Sequence, residues 1–354
     1  MTLEDLGYNT DLENYRIEHG LDSLAVGRVV AEHKERYVVK TAGKEYDAEI
    51  LGNLRYTAQS RSDFPAVGDW VAISEYDNDK VLIHSILPRT SIVERQTVGR
   101  KGEKQIIATN IDNAFIIQAV DRDFSINRIE RYLTICNTSN VKPVIILNKI
   151  DLADDEALSQ MIENVQKRIK NVPLFAISNE TQEGIENLRK IIEKSKTYCL
   201  LGSSGVGKST LLNTLLGQQL IKTNSISEFS NRGRHVTTHR ELHVLDNGGI
   251  LIDNPGMREV GITDASGGLE ITFDSIFELS KNCKFKDCSH TTETDCAVLA
   301  AVENGEIDRS SYENYLKMIR EKEHFESTVA EKRKKDKDFG KMLKNYKKDN
   351  LKKY

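Results

Sequence analysis

Cysteine is scarce in this 354-residue chain: five in all, too few for a disulfide framework, and three of them crowd between 283 and 296, a spacing that suggests a metal. No stretch approaches the ~18 apolar residues that a membrane span requires. The first twenty residues carry Glu4, Asp5, Asp11, Glu13, Arg16 and Glu18 and contain no apolar signal core. These absences predict a soluble, cytoplasmic protein without a membrane partner. Internal repeats are missing as well. What remains is ordinary for a globular chain. The AVILMFWYC fraction is 38%, and the 22 glycines raise the apolar share to about 44%, near the usual 45–50%. A wholly disordered chain is excluded, and the length suffices for two or three domains of roughly 100–200 residues.

The net charge of −4 hides an asymmetry. Residues 332–354 hold eleven Lys/Arg against three Asp, a net +8, which leaves −12 for residues 1–331. Such a tail is either a solvated terminus or a contact for nucleic-acid phosphates, where neutralised phosphates add salt-sensitive affinity.

Residues 24–88 contain five short alternating or β-branched runs, LAVGRVVAE, ERYVVKTA, KEYDAEIL, DWVAISEY and DKVLIHSIL, broken at Gly43, Gly52 and Pro65. Their spacing of roughly ten residues predicts a small five-stranded barrel of the OB-like kind. Trp70 and Tyr37 are core residues of that barrel or stacking platforms for bases, the core being the commoner fate. After Pro88 strands alternate with helices, the pattern of a parallel sheet covered on both faces. Buried strands are expected at 113–120, 142–149, 172–178, 196–202 and 248–254, with a further strand at 240–246 paired to the last. Helices are expected near 126–138, 155–170, 184–194 and 208–217. Cys136 and Cys199, within this pattern, read as core residues.

Gly202-Ser203-Ser204-Gly205-Val206-Gly207-Lys208-Ser209 fits G-x4-G-K-[ST] between an expected strand and an expected helix. The glycines let backbone N–H groups turn inward around a phosphate, Lys208 supplies a point charge, and Ser209 can ligate magnesium; the nucleotide contacts extend to Thr210. Asn148-Lys149-Ile150-Asp151 follows the apolar strand PVIIL. A carboxylate such as Asp151 accepts from both N1–H and the exocyclic amine of guanine, whereas adenine has no N1 donor and leaves it unpaired. Ala176-Ile177-Ser178 ends another strand, where a backbone N–H can face the guanine O6. Asp253-Asn254-Pro255-Gly256 ends the ILID strand, where the acid can hold magnesium through water and the Gly256 amide can face the γ-phosphate. Between lies Arg232-Gly233-Arg234-His235-Val236-Thr237-Thr238, a polar segment with the character of a switch; Thr238, or Thr237, could ligate magnesium in the triphosphate state.

The base-reading motifs precede the phosphate loop, a reversal of the usual GTPase order that corresponds to circular permutation of the same sheet. Further along, Cys283-x4-Cys288-x-His290-x5-Cys296 supplies three thiolates and an imidazole, the inventory of one tetrahedral structural zinc with no open position. Such a metal would hold together a segment too small to build its own core. Beyond it, apolar residues at 298, 299, 302, 312, 315, 316 and 319 follow an amphipathic helical pattern.

The expected architecture is therefore multi-domain. It comprises an N-terminal extension (1–23), an OB-like β-barrel (24–90), a circularly permuted α/β P-loop GTPase domain (91–265), a zinc-binding helical domain (266–331) and a basic tail (332–354). The permuted motif order, with a barrel before it and a cysteine cluster after it, resembles the RsgA family of small ribosomal subunit biogenesis GTPases over about residues 20–350. The resemblance implies a monomeric enzyme that hydrolyses GTP to GDP slowly alone and faster on the small ribosomal subunit. It also implies action late in subunit maturation and contacts with rRNA and ribosomal proteins. It points to His235 as the residue that positions the attacking water, with His239 as the alternative. Two positions depart from expectation: Asn254 stands where the family usually has Thr or Ser, and Met257 where many GTPases have glutamine. An apolar side chain cannot orient water. The rival from another class is a nucleotide-gated RNA-binding adaptor in which hydrolysis is incidental; an ATP-driven enzyme would require Asp151 to have no part in base reading.

Overall fold

The computed structural model describes residues 1–33, 36–96, 104–121, 123–217, 240–253, 266–324, 331 and 334. Strands β1 (Ala25–His33), β2 (Arg36–Lys40), β3 (Glu45–Ile50), β4 (Trp70–Asp77) and β5 (Lys80–Ile86) form a ring in the order β1-β2-β3-β5-β4. The β1–β4 pairing, from Ala25↔Ile73 to Arg28↔Trp70, closes it. All neighbours are antiparallel except β3 and β5, which run parallel. The period-2 pattern of β3 explains its place: Tyr46, Ala48 and Ile50 enter the barrel beside Val29, Val39, Val71 and Ile83, while Glu45, Asp47 and Glu49 face water. Tyr37 and Trp70 are 3% and 1% exposed, so both belong to the core and neither is a stacking platform.

The first 23 residues are folded onto the barrel. A turn at Glu4–Leu6 precedes α1 (Thr10–Glu18), whose first turn is capped by Asn9 accepting from the Leu12 amide at 3.0 Å. Leu6 and Leu12 pack with Val26, Trp70 and Leu87. Beneath them Arg28 is 1% exposed and donates to the carbonyls of Leu6 (2.6 Å), Gly68 (3.1 Å) and Asn110 (3.1 Å), tying three distant stretches together. Burial pushes its pKa down to about 10, against the pull of Asp112 and Asp69.

A separate hairpin of β6 (Ile92–Gln96) and β7 (Lys104–Thr109) leads into the second sheet. Its elements are β8 (Asn113–Ala119), α3 (Ile126–Thr138), β9 (Lys142–Asn148), α4 (Asp155–Arg168), β10 (Leu174–Ile177), α5 (Ile185–Lys190), β11 (Thr197–Leu201), α6 (Lys208–Leu216), β12 (Glu241–Val244) and β13 (Ile250–Asp253). The order is β10-β9-β8-β11-β13-β12, parallel except for β12. Each strand and helix overlaps its sequence expectation. One sheet face packs on α3 and α4 through Ile116, Ile145, Ile129 and Val165, the other on α5 and α6 through Phe115, Ile146, Leu188 and Leu212. Ala31 of β1 pairs with Glu241 of β12, so barrel and sheet share one hydrogen-bonded surface.

Helices α7 (Ser266–Thr272), α8 (Asp274–Ser280) and α9 (Ala297–Glu303) and a helix over 309–324 complete the described chain. They bury Leu269, Phe273, Ile276, Val298, Ala301 and Met318 in a cluster of their own. That core comes from the helices flanking the Cys/His segment, and the loop over 281–296 adds only its cysteines and histidine to it. Helix α7 lies so close to α3 that a Cβ on Gly268 would stand 2.4 Å from the Thr134 carbonyl oxygen. Nearby, Glu130 of α3 is 2% exposed and accepts from Arg168 (2.7 and 3.1 Å), Ser311 (2.9 Å) and Asn314 (2.7 Å), joining the sheet's helices to the C-terminal ones. No helix among the described residues is long and apolar enough to cross a membrane.

Candidate nucleotide site and metal centre

In an open parallel sheet, ligands gather beyond the carboxyl ends of the strands. The loop 202–207 leaves β11 there, Asn148 and Ser178 stand at the ends of β9 and β10, and Asp253 ends β13. Register places them side by side: Ile177 pairs with Asn148, and Leu201 with Ile116. The loop requires its glycines. A Cβ on Gly202 would stand 2.4 Å from the Ile117 carbonyl oxygen, and Gly207 has φ +95° with the Asn148 Nδ2 only 2.3 Å from where a Cβ would go. Helix α6 then begins at Lys208, with Ser209 and Thr210 in its first turn.

The base side and the phosphate side are bonded to each other. Asn148, fully buried, donates from Nδ2 to the Val206 carbonyl at 2.7 Å. Lys149 takes the left-handed conformation (φ 63°) and its ammonium reaches Asp121 at 3.3 Å, while Ile150 and Asp151 lie in the turn Ile150–Leu152. Ser178 Oγ donates to Asp151 Oδ1 at 2.5 Å and accepts from the amides of Glu180 (3.2 Å) and Thr181 (3.1 Å). Ala176 and Ile177 lie in β10 directly before it. Asp151 is thus oriented by a hydroxyl that is itself fixed by two backbone groups.

Lys208 donates to the carbonyls of Gly202 (2.8 Å) and Ser203 (2.6 Å). Burial pushes its pKa down to about 8, against the pull of Asp253. Asn148 Oδ1 and Asn179 Oδ1 are buried without a partner among the described residues, orphan acceptors beside the phosphate loop that fit a site completed by a ligand. Two contributors escaped the sequence reading. Asn179 donates to the Gly207 carbonyl at 3.4 Å, and Asp121 pairs with Lys149. Only Asn179, immediately after Ser178, carried a positional signal. His235, Thr237, Thr238, His239, Asn254, Gly256 and Met257 lie outside the described residues, as does the basic tail apart from Lys334.

The four expected metal ligands do meet. The donor atoms of Cys283, Cys288, His290 and Cys296 all lie within 4.8 Å of one another. Cys283 Sγ is 3.8 Å from Cys296 Sγ and 3.6 Å from His290 Nδ1, which is 3.5 Å from Cys296 Sγ. Zinc–sulfur bonds of about 2.3 Å at tetrahedral angles give edges of about 3.8 Å, so the cluster fits a zinc ion. Burial alone would raise the Cys283 pKa, but the amides of Val298 and Ala297 at the start of α9 donate to its sulfur and hold it below the ordinary thiol value. Tyr312 Oη donates to the His290 carbonyl at 2.5 Å and fastens the cluster to the C-terminal helix.

Because the base-side motifs lie on β9 and β10 and the phosphate loop on the later β11, the chain is a P-loop GTPase with its strands in circularly permuted order. The family model described as "RsgA GTPase" matches residues 86–263, and a protein of Oceanobacillus iheyensis named small ribosomal subunit biogenesis GTPase RsgA 1 is 42% identical over 86% of this chain and 87% of its own. The chain belongs to the RsgA GTPase family. A relative of the same function name from Methanosarcina acetivorans is 39% identical over 92% of this chain and 86% of its own. A second family model, described as "50S ribosome-binding GTPase", matches residues 197–336, starting at the strand from which the phosphate loop springs. Among solved structures, YjeQ from Thermotoga maritima superposes with a TM-score of 0.61 at 27% identity, covering 86% of this chain and 98% of that one. YloQ, described as a circularly permuted GTPase, gives 0.61 at 23% identity, covering 84% and 94%, a likeness of fold.

Proposed function

We propose that this GTPase acts on the small ribosomal subunit, as its relatives' names describe them, and that subunit contact, including rRNA, accelerates its hydrolysis of GTP to GDP and phosphate late in subunit maturation. The observation that carries guanine selection is the Ser178–Asp151 hydrogen bond of 2.5 Å, in a turn joined to the phosphate loop through Asn148. Asp151 then reads the guanine N1–H and amine, and a backbone N–H at the end of β10 faces the O6. Lys208 and the loop amides hold the β- and γ-phosphates, with Ser209 and Asp253 as the magnesium side. Magnesium held on that side would neutralise the charge that develops on the phosphates. Thr238, or Thr237, and the Gly256 amide complete the γ-phosphate contacts, and His235, or His239, orients the water that Met257 cannot. The Cys283–Cys288–His290–Cys296 set holds one structural zinc. The division into units at 24–90, 91–265 and 266–331 follows the same reading, in a cytoplasmic setting where ribosomal subunits are available.

GTP turnover with and without purified small subunits at fixed salt tests this, with ATP and large subunits as controls. Acceleration by small subunits alone is the expected result. Guanine-nucleotide binding with no acceleration by either subunit would replace the enzyme reading with that of an RNA-binding adaptor.

A further inference from the structure

The order of the strands fixes where a bound nucleoside must lie. The base-side turn follows β9 and Ser178 follows β10, whereas the phosphate loop follows β11, and β8 stands between β9 and β11. A nucleotide with its base against Asp151 and its phosphates on the loop 202–207 therefore passes over the carboxyl end of β8. Two charged groups meet there. Val120, just past β8, donates its amide to the Asn148 carbonyl at 3.0 Å, and the next residue, Asp121, accepts from the Lys149 ammonium at 3.3 Å.

The carboxylate is anchored to the sheet. Asp121 Oδ1 accepts from the Asp123 amide at 3.0 Å. The Asp123 carbonyl in turn accepts from Nε2 of Gln118 (3.1 Å), a residue of β8 that is 1% exposed, and from Nη1 of Arg128 in α3 (3.1 Å). None of these contacts involves the barrel or α2 (Gly52–Thr57). Lys149 takes φ 63° and ψ 38°, a conformation that suits glycine or asparagine better than a long side chain. Backbone strain of this kind persists only where the surroundings hold it, and it clusters at ligand sites. The Lys149 ammonium is drawn toward β8 while Asp151 is held on the other side by Ser178. The four-carbon stem of the lysine thus spans the interval that a nucleoside must cross.

We infer that Asp121 is a positioning residue of the nucleotide site: by holding the Lys149 ammonium over β8 it lays the methylene stem of Lys149 along the nucleoside, where base and sugar pack on it. A lysine stem can cover an apolar face while its charged head stays with a polar partner. Asp121 itself touches neither base nor phosphate. The assignment rests on the base-side reading of Asp151 given above.

Asp121→Asn keeps the shape of the side chain and its bond from the Asp123 amide but removes the charge. In titration calorimetry on the full chain with magnesium present, its GDP affinity should fall about fivefold, the size expected of an ion pair whose side chains are 23% and 27% exposed. Inorganic pyrophosphate, which fills the phosphate loop without reaching the nucleoside interval, should bind this variant no more weakly than the wild type, which also shows that the loop is folded. Lys149→Met retains a stem and removes the ammonium. In that background Asp121→Asn should change GDP affinity by less than about twofold, since nothing is left to hold. Asp151→Asn, titrated with GDP and xanthosine diphosphate, separates the two readings. If it exchanges guanine for xanthine while Asp121→Asn binds GDP as the wild type does, the base-side reading stands and the role of Asp121 falls. If Asp151→Asn binds GDP as the wild type does, both fall. Equal weakening of pyrophosphate and GDP in Asp121→Asn, or an undiminished fivefold loss in the Lys149→Met background, would also overturn the assignment.

Discussion

At the carboxyl ends of β9, β10, β11 and β13, polar groups stand on strands whose apolar faces are already buried; Asn148 and Ser178 are held in place before any ligand arrives. Residues 281–296 contain neither helix nor strand, and their ordering centres on four side chains that converge on one point. In the first region the hydrophobic core builds the site. In the second the site builds the local structure, because a loop with little apolar surface cannot offset its conformational entropy without a metal.

The sharpest way to break that comparison is to remove the metal. Cys288→Ser, or chelation, should unravel 281–296, release the Tyr312–His290 bond and open the loop to proteolysis. GDP affinity should stay within about twofold, since distant sites without shared partners act additively. A collapse of GDP binding would show that the two regions share one support. The converse substitution is Gly207→Ala. Its Cβ would stand 2.3 Å from Asn148 Nδ2 at a φ of +95°, so both the loop and the base-side turn must shift. Strain of about 3 kcal/mol corresponds to roughly a hundredfold loss of nucleotide affinity in titration calorimetry. Zinc content should be unchanged.

Between the two regions lies Glu130. Glu130→Gln removes the charge that Arg168, Ser311 and Asn314 share and leaves Arg168 without its buried counter-ion. A loss of about 2–3 kcal/mol is expected in denaturant unfolding, concentrated in the docking of the C-terminal helices. Equal destabilisation in a chain lacking those helices would remove Glu130 from that interface.

What was legible in the sequence divides along a similar line. The phosphate loop, the NKID turn and the Cys/His cluster are each written in consecutive residues, and the strands carry their period in the local pattern, so β1 to β5 and β8 to β13 could be placed from the chain alone. Glu130 could not: in sequence it reads as one acid on a helix, and its partners lie 38 to 184 positions away. Arg28 was hidden for the same reason. It sits in the run LAVGRVVAE, where an arginine normally marks the wet face, and residues 1–23, Gly68 and Asn110 together bury it. The β6–β7 hairpin also escaped, since it has no local pattern that distinguishes it from loop.

The smallest expected effect concerns Lys208 and tests how far the nucleotide region is preformed. Its folded pKa of about 8 lies below the ordinary 10.5 because burial disfavours the ammonium. Below pH 8 the residue is charged in both folded and unfolded chains, and the burial cost is fully present. Between about pH 8 and 10.5 the unfolded chain binds more protons, so the free protein gains stability as pH rises through that window. Phosphates placed against the ammonium reverse the balance and draw the proton back. Nucleotide binding should therefore take up almost no proton at this residue at pH 7 and about half a proton at pH 8, read from calorimetry in buffers of different ionisation heat. Lys208→Met should abolish that uptake along with most of the affinity. If the wild-type chain took up no proton at pH 8 to 9, the free loop would already hold a charged lysine, and its carbonyl cradle would be as good a home for the ammonium as the nucleotide.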